Sequence, residues 1–192
     1  VLAMQGSVPR YTSYPTAPHF RPGEGPALMQ QMLQAIDGPV SVYAHIPYCD
    51  RLCWFCGCHT KHTLKYAPVL DYVDHLVREV ALLGETLGRR PLLSRLHLGG
   101  GSPSLLKRDD LARFREALDA CFRFAEDAEI SIEIDPSDES AGSLEGYRTL
   151  GVTRASIGVQ DFDPVVQAAI NRPQTYEATR EVVLALRQAG IG

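Results

Sequence analysis

The sequence predicts an α/β protein, a partial (βα) barrel with parallel strands and with helices outside. From residue 40 onward, apolar strand-like runs alternate with amphipathic helical patterns, and no linker interrupts the alternation. Polar residues recur where the strands end, at the edge on which such barrels place their chemistry. The chain closes on Ala189-Gly190-Ile191-Gly192, which reads as a helix cap and the start of a further strand. The C-terminal part of the barrel is therefore expected to be missing.

Length and composition narrow the class of protein. The 192 residues suffice for a domain with its own core, and 45% hydrophobic and 22% charged residues are typical of a soluble globular protein. A net charge of −4 does not favour nucleic acid, and no apolar run approaches the roughly 20 residues that span a bilayer. Reduced cysteines without an export signal favour the cytoplasm. We expect a monomer without nucleic-acid or membrane partners.

Residues 1–39 are expected to form an extended N-terminal arm that carries one short helix. Six prolines break any longer element: Pro9, Pro15, Pro18, Pro22, Pro26 and Pro39. The helix is predicted from about Pro26 to Ile36, with Leu28, Met32 and Ile36 as its packing face. The barrel domain is then expected to span residues 40–192.

The barrel elements follow from hydrophobic periodicity. The predicted strands are Val40–Ile46, Arg95–Leu98, Ala128–Ile134 and Thr153–Val159. The predicted helices are Pro68–Leu87, Asp109–Phe122, Ser143–Leu150 (closed by Gly151) and Tyr176–Ala189. The buried face of the first of these helices is predicted to consist of Leu70, Val73, Leu76, Val77, Val80 and Leu83.

Four of the five cysteines lie within ten residues, directly after the first strand. Spacings of four and three can bring Cys49, Cys53 and Cys56 together, and converging thiolates form soft-metal sites such as iron–sulfur clusters. A zinc site remains the main alternative, although no distant second cysteine pair accompanies Cys53 and Cys56. A thiol redox pair leaves Cys49 and Cys58 without a role, and the odd cysteine count disfavours a disulfide framework. The pattern favours an iron–sulfur cluster.

Three further polar groups follow the later strands. A glycine run, 99–101, follows the second strand, Glu133 and Asp135 end the third, and Gln160 and Asp161 end the fourth. Each has an ordinary structural explanation, as a tight turn or a strand-end hydrogen bond. Their common position on one rim favours a functional site. His45, His59 and His97 are interpreted as structural histidines, and Cys121 as a core residue.

The pattern Cys-x3-Cys-x2-Cys resembles the signature of the radical S-adenosylmethionine (SAM) superfamily. The resemblance implies that Cys49, Cys53 and Cys56 hold a [4Fe–4S] cluster in a barrel of radical SAM type. SAM would chelate the fourth iron through its methionine amino and carboxylate groups, and reductive cleavage would give a 5′-deoxyadenosyl radical. A fourth protein thiolate would block that iron, so Cys58 is expected outside the coordination sphere.

The rim residues suit such a ligand. Gly100 and Gly101 lack side chains, so we expect their backbone N–H groups to approach the methionyl moiety, and Ser102 adds a hydroxyl. Glu133 can accept hydrogen bonds from the ribose hydroxyls or the amino group of SAM. Arg172 can pair bidentately with the methionyl carboxylate.

Six stretches together resemble the oxygen-independent coproporphyrinogen III oxidase family over essentially the whole chain. They are Arg10–Thr16 (RYTSYPT), Tyr43–Cys49 (YAHIPYC), Phe55–Cys58 (FCGC), Gly99–Pro103 (GGGSP), Ile132–Pro136 (IEIDP) and Ser156–Phe162 (SIGVQDF). The opening tyrosine-rich stretch and the Cys-x-Cys ending are more specific than the cysteine spacing. Ser102 stands where the family often has threonine, and the hydroxyl is kept.

This resemblance implies oxidative decarboxylation of two propionates of coproporphyrinogen III to vinyl groups, giving protoporphyrinogen IX in haem synthesis. An electron donor and an electron acceptor would take part, and a second SAM would lie nearby. The implied SAM contacts are Tyr43, Phe55, Gly100, Gly101, Ser102, Glu133, Gln160 and Arg172; the implied catalytic residues are Tyr43, Cys58 and Glu133. Because the family's C-terminal part is missing here, catalysis by this stretch alone is not expected.

The four propionates of that substrate require a local basic pocket in an acidic protein, for which Arg10, Lys61, Lys65 and Arg172 are candidates. Two other functions stay open. A related group of haem-binding chaperones shares the barrel and the three cysteines, although it usually has an aromatic residue in place of Cys58. A zinc-stabilised binding module is the third possibility.

Overall fold

A sheet of four parallel strands forms the centre of the structure, a computed structural model that describes residues 19, 23, 25–137 and 141–192, without the side chains of 141 and 142. The strands are β1 (Val40–Ile46), β2 (Tyr48–Cys49), β3 (Lys61–His62), β4 (Leu92–Gly100), β5 (Arg123–Ile134) and β6 (Arg154–Ile157). The helices are α1 (Pro26–Gln34), α2 (Ala67–Leu87), α3 (Arg108–Cys121), α4 (Ala141–Leu150), α5 (Pro164–Ala169) and α6 (Tyr176–Gln188), with a 3-10 turn at Pro103–Leu105. The arm stretch Arg10–Thr16 lies outside the described residues.

The main sheet has the order β1-β4-β5-β6, and every neighbouring pair is parallel. The order of these four strands in the sheet is therefore their order along the chain. At least one helix connects each strand to the next, as a (βα) barrel requires. Their carboxyl ends share one edge. The predicted partial barrel is confirmed.

The core lies between the sheet and its outer helices. The strands contribute Ile46, Leu93, Leu96, Leu98 and Ile132, each almost fully buried. Val73, Phe114, Leu118 and Tyr147 cover them from α2, α3 and α4. Burying a side chain of this size contributes about 1.5–3 kcal/mol, so this layer supplies most of the hydrophobic stabilisation. Cys121 is buried in it, as predicted.

The opposite face of the sheet is polar. Along β4, Leu96 and Leu98 are buried under the helices. Arg95 and His97 alternate with them and line a cavity on the inner side of the sheet. His97 Nδ1 lies 2.7 Å from Ser131 Oγ on the neighbouring strand. The inner face of the sheet is therefore lined by side chains that can hydrogen-bond to polar ligands or water.

The chain's last residue pairs with the edge of β6. Gly192 N donates to Thr153 O (3.0 Å), and Gly192 O accepts from Ala155 N (2.8 Å). Two bonds that straddle residue 154 in this way are those of a parallel neighbour. Gly190, at φ 78°, turns the chain out of α6 to reach this position.

Several predicted bounds and faces were wrong. The second predicted strand extends in both directions to Leu92–Gly100, and the third begins five residues early, at Arg123. The early part of β5 pairs with Leu92 and Leu93 before a register shift, and its charged, exposed sequence hid it. The predicted strand Thr153–Val159 is shorter, at Arg154–Ile157.

Two helices expose residues that were predicted to pack. On α2, Leu70 is 42% exposed while Val69 is buried, because the buried stripe runs through Val69, Val73, Leu76 and Val80. On α1, Leu28 and Met32 are exposed, and Leu33 touches the core in their place. Ile36 packs against the core as predicted, although it lies past the end of the helix at Gln34. Since α1 packs near the C-terminal end of α2, only its own last turn reaches the core.

In the part of the chain that the structure describes, sequence reasoning missed four short elements: the 3-10 turn at Pro103–Leu105, helix α5, and strands β2 and β3. Helix α5 carries an ordinary start signal, since Asp163 Oδ1 accepts from Val165 N (2.7 Å) and Pro164 occupies the first turn. Strands β2 and β3 are two residues each and pair only with one another. Within the described residues, no helix is long and apolar enough to cross a membrane.

A buried carboxylate anchors α3 to the start of α2. Asp110 is 5% exposed, and the Tyr66 hydroxyl donates to its Oδ2. The same hydroxyl accepts from Lys107 N at 3.0 Å. Burial of the phenol, and then its bond to Asp110, raise the pKa of Tyr66 well above its usual range.

We predict that Tyr66→Phe lowers the free energy of unfolding by about 1–3 kcal/mol at neutral pH, because it leaves Asp110 buried with a lost donor. The exposed Tyr176→Phe is the matched control and should stay within about 0.5 kcal/mol of wild type. Because the folded pKa of Tyr66 is raised, its contribution is complete below the unfolded pKa of about 10 and shrinks as pH rises above it. Urea titrations at neutral and high pH measure both effects; equal stabilities at neutral pH would contradict the prediction.

Candidate functional site

The loops that follow β1, β4, β5 and β6 enclose one cavity of about 270 Å³ at the carboxyl edge of the sheet. Its lining contains eleven of the twelve site residues that the sequence predicts: Cys49, Cys53, Phe55, Cys56, Cys58, Gly100, Gly101, Ser102, Glu133, Gln160 and Arg172. Further lining residues include Asp135, Ser156 and Gly158. The expectation that these groups share a rim is confirmed.

Tyr43 is the twelfth residue, and it lines the second cavity, on the inner face of the sheet. Its ring stacks on His97, with 5.8 Å between the ring centroids, and its hydroxyl lies 2.9 Å from His45 Nδ1. Burial raises the pKa of Tyr43, and the nearby charges of Glu133 and Cys58 raise it further. The phenol therefore stays protonated and stands beside the cavity, close to two of its lining residues.

The cysteine loop is closed at its base by the small β2–β3 pair. Lys61 N donates to Pro47 O (2.5 Å) and Thr63 N donates to Cys49 O (3.0 Å). Within the loop, Cys56 N donates to Cys53 O at 3.2 Å, which forms a tight turn between these two cysteines. Cys58 N donates to the sulfur of Cys56 at 3.4 Å. The loop thereby presents four sulfurs to one cavity.

This donor set fits an iron–sulfur cluster. In the described ranges, no three His, Cys, Asp or Glu side chains lie close enough together to hold a single metal ion. A cluster needs no such common point, because each thiolate binds a different iron. Three or four thiols around an open cavity match that requirement.

The glycine run forms a wall against the cysteine loop. A Cβ atom on Gly101 would lie 2.5 Å from Tyr48 O and 2.9 Å from Cys49 Sγ, so no side chain fits there. Gly100 has φ 117°, and its Cβ would lie 2.7 Å from the His45 ring. Both positions require glycine.

The expectation that these glycines offer N–H groups to a ligand was wrong. Gly101 N donates to Ile46 O (2.8 Å), and Gly100 N donates to Glu133 Oε2 (3.1 Å). Gly101 N is used because the end of β4 continues alongside the end of β1, and Gly100 N is used because Glu133 lies on the neighbouring strand β5. What the glycines supply is space next to Cys49.

Glu133 is held by its neighbours yet remains half exposed. One carboxylate oxygen accepts from Gly100 N, and the other lies 3.4 Å from His97 Nε2. Its side chain is 45% exposed. His97 and His45 are satisfied within the protein, as expected for structural histidines, since His45 Nε2 lies 2.9 Å from His59 O.

Arg172 is not a solvated loop residue. Its guanidinium makes a 3.0 Å ion pair with Asp135, and the two side chains are only 14% and 15% exposed. The same guanidinium donates to Gly158 O (2.9 Å) and to Cys53 Sγ (3.4 Å). Sequence reasoning placed Asp135 on the rim but missed this pairing.

The predicted basic pocket is not assembled in the described part of the chain. Lys61 and Lys65 are exposed and do not line the cavity. The charge of Arg172 is balanced by Asp135, and Arg10 lies outside the described residues.

Asn171 also contributes to the site, since its Nδ2 donates to Leu52 O (2.9 Å). The sequence did not predict this contact, because no local pattern indicates a contact between residues so far apart in sequence.

The family model described as "Radical SAM superfamily" matches residues 43–192. The chain belongs to the radical SAM superfamily. Radical SAM proteins use a [4Fe–4S] cluster and S-adenosylmethionine, so both expected cofactors are confirmed.

Curated relatives and a solved structure resemble this radical SAM chain along nearly its whole length. The oxygen-independent coproporphyrinogen III oxidases of Bradyrhizobium diazoefficiens and Escherichia coli are 44% and 39% identical, each over 96% of this chain and 41% and 40% of their own. The solved coproporphyrinogen III oxidase of Escherichia coli, described as a radical SAM enzyme, has a TM-score of 0.87 and 37% identity, over 94% of this chain and 42% of that one. The chain thus spans about two fifths of the length of these relatives.

We predict that Gly101→Ala weakens SAM binding about tenfold or more, because the added methyl must push Tyr48 and Cys49 away from residue 101 at a cost of about 1–3 kcal/mol. Gly38→Ala is the matched control, since its Cβ meets nothing within 4 Å. Equilibrium dialysis with labelled SAM on the reconstituted protein, with iron content measured in parallel, makes the comparison. Equal affinities for the two variants would contradict the proposed wall.

Proposed function

We propose that this chain forms the cluster-binding and SAM-binding part of an oxygen-independent coproporphyrinogen III oxidase. One observation carries the proposal: relatives of that name match 96% of the chain at 44% identity. The stretch that ends in Cys58 and the rim around the cavity fit the same chemistry. Nothing in the described site favours the haem-binding alternative.

In this proposal Cys49, Cys53 and Cys56 hold the cluster, and Cys58 stays off the iron. A bound, reduced cluster would supply one electron to the sulfonium group of SAM, whose cleavage would give methionine and a 5′-deoxyadenosyl radical. Gly101 keeps the wall beside Cys49 thin, so that a ligand can lie against the cluster side of the loop.

The remaining rim residues are proposed to position SAM. Glu133 is oriented by Gly100 N and His97 while its exposed part is left to accept hydrogen bonds from the ribose or amino group. Four of the five N–H groups of Arg172 are bonded to Asp135, Gly158 O, Gln174 and Cys53, so they are not free for the bidentate pairing expected from the sequence. Arg172 is therefore proposed to make a single N–H contact, from Nη1, to the methionyl carboxylate. Ser102, Phe55 and Gln160 complete the SAM contacts, and Tyr43 adds a protonated phenol next to Glu133.

The proposed reaction converts a propionate side chain to a vinyl group. The deoxyadenosyl radical takes one hydrogen atom from the β-carbon, giving 5′-deoxyadenosine and a carbon-centred substrate radical. Loss of carbon dioxide with transfer of one electron to an external acceptor leaves the double bond. A separate donor reduces the cluster. Two such steps turn coproporphyrinogen III into protoporphyrinogen IX.

The wider setting is also part of the proposal. A monomer without nucleic-acid partners in the cytoplasm suits thiolate-ligated iron, which needs a reducing compartment. An arm over residues 1–39 and a barrel domain over 40–192 agree with a family match that begins at residue 43. Tyr43, Cys58 and Glu133 are the proposed catalytic residues.

We predict that Cys58→Ser retains the visible charge-transfer absorption of the cluster but loses turnover, because Cys58 acts beside the cluster and not on its iron. Cys53→Ser should lose both. Cys121→Ala, in the core, is the control that should keep both. The variants are made in the full-length protein, reconstituted anaerobically with iron and sulfide, and assayed for formation of protoporphyrinogen IX.

Two outcomes would contradict the proposal. A wild-type protein that takes up stoichiometric zinc and shows no charge-transfer band overturns the cluster. A wild-type protein that cleaves SAM and binds haem stably, without forming protoporphyrinogen IX, overturns the oxidase function in favour of a haem carrier.

A further inference from the structure

Three consecutive residues after α5 hold three consecutive residues of the cysteine loop. We call residues 170–172 the clasp. The contacts run from Trp54 N to Ile170 O (3.0 Å), from Asn171 Nδ2 to Leu52 O (2.9 Å) and from Arg172 Nη1 to Cys53 Sγ (3.4 Å). Every clasp residue is used, and the middle contact of the loop is the sulfur of a proposed cluster ligand.

The backbone of the clasp is prepared for this position. Among the described residues, Asn171 is the one non-glycine residue with positive φ, at 55°, a conformation that asparagine tolerates better than most residues. Arg172 N donates to Gln167 O at 2.9 Å. The buried side chains of Gln167 and Gln174 fix the turn on its other side, since Gln174 N donates to Gln167 Oε1 (2.9 Å). A left-handed residue held in place by buried neighbours fixes the path of the chain at the site.

The guanidinium of Arg172 is aimed rather than loosely placed. Nη2 bonds both Asp135 Oδ2 (3.0 Å) and Gly158 O (2.9 Å), and Nε donates to Gln174 Oε1 at 3.3 Å. Three anchors on one planar group fix its orientation, and the remaining nitrogen, Nη1, then points at Cys53. Asp135 is the charged anchor, at 15% exposure.

We propose that the clasp positions Cys53 and that the Arg172 N–H on its sulfur raises the reduction potential of the cluster. A donor on a ligand sulfur draws electron density from it and stabilises the reduced, more negative state, and hydrogen bonds to the sulfurs help set the potentials of such clusters. Residues that orient ligands from behind affect affinity as well. The proposal depends on the cluster of the superfamily and is independent of the substrate.

The test compares reduction potentials without SAM, by redox titration followed with electron paramagnetic resonance on anaerobically reconstituted protein that retains its accompanying sequence. Arg172→Lys keeps the charge but loses the planar group, and the potential should fall. Asp135→Ala gives the decisive sign. Removal of an anion by itself raises the potential, whereas loss of the aimed N–H lowers it; we expect a fall. Arg187→Lys, exposed on α6, should leave the potential unchanged.

A second readout isolates the middle residue of the clasp. Asn171→Gly keeps the positive φ and removes only the amide that bonds Leu52 O. Iron release to a chelator should become roughly fivefold faster, the change expected when one hydrogen bond is lost. An unchanged release rate would show that this tie does not hold the loop.

The outcomes separate the proposals. If Arg172→Lys and Asp135→Ala leave the potential unchanged or raise it, the clasp proposal is overturned while the cluster assignment stands. If wild type binds no cluster, both are overturned. The reduction potentials are measured without substrate. If the protein fails to convert coproporphyrinogen III while the potentials shift as expected, the proposed function alone is overturned.

Discussion

The close approach of the β4 end to the start of the cysteine loop is the constraint on which the site depends. Gly101 N and Ser102 N bond the carbonyls of Ile46 and Tyr48, and a methyl on Gly101 would collide with Cys49. This approach is possible because β1 and β4 are parallel neighbours whose carboxyl ends lie together. The first cysteine is therefore placed by backbone hydrogen bonds of the sheet.

The rest of the cysteine loop is supported by a segment that follows the last strand of the sheet. The later cysteines lie on an exposed loop, and the turn after α5 contacts that loop at Leu52 and Cys53. On the inner face, His97 contacts both Tyr43 and Glu133, so two proposed SAM contacts share one support. The sheet thus places the loops, and polar contacts behind them orient the side chains.

The sequence was sufficient where the physical signal is local. Val40–Ile46 was predicted with its observed bounds, and the rim was found because parallel strands end at one edge. Asp163-Pro164 gave an equally local signal for α5, which was overlooked. Contacts such as Arg172 with Asp135 and Cys53 have no local signature, because folding alone brings these residues together. The occupied glycine N–H groups likewise follow from strand pairing, which residue type does not reveal.

Three cysteines of this loop are proposed to hold a cluster whose fourth iron is open to SAM. Electron–nuclear double resonance on the reduced protein, with SAM carrying ¹⁷O in its carboxylate and ¹⁵N in its amino group, tests this proposal most directly. We expect magnetic coupling of both labels to the cluster. Bound SAM without either coupling would contradict it.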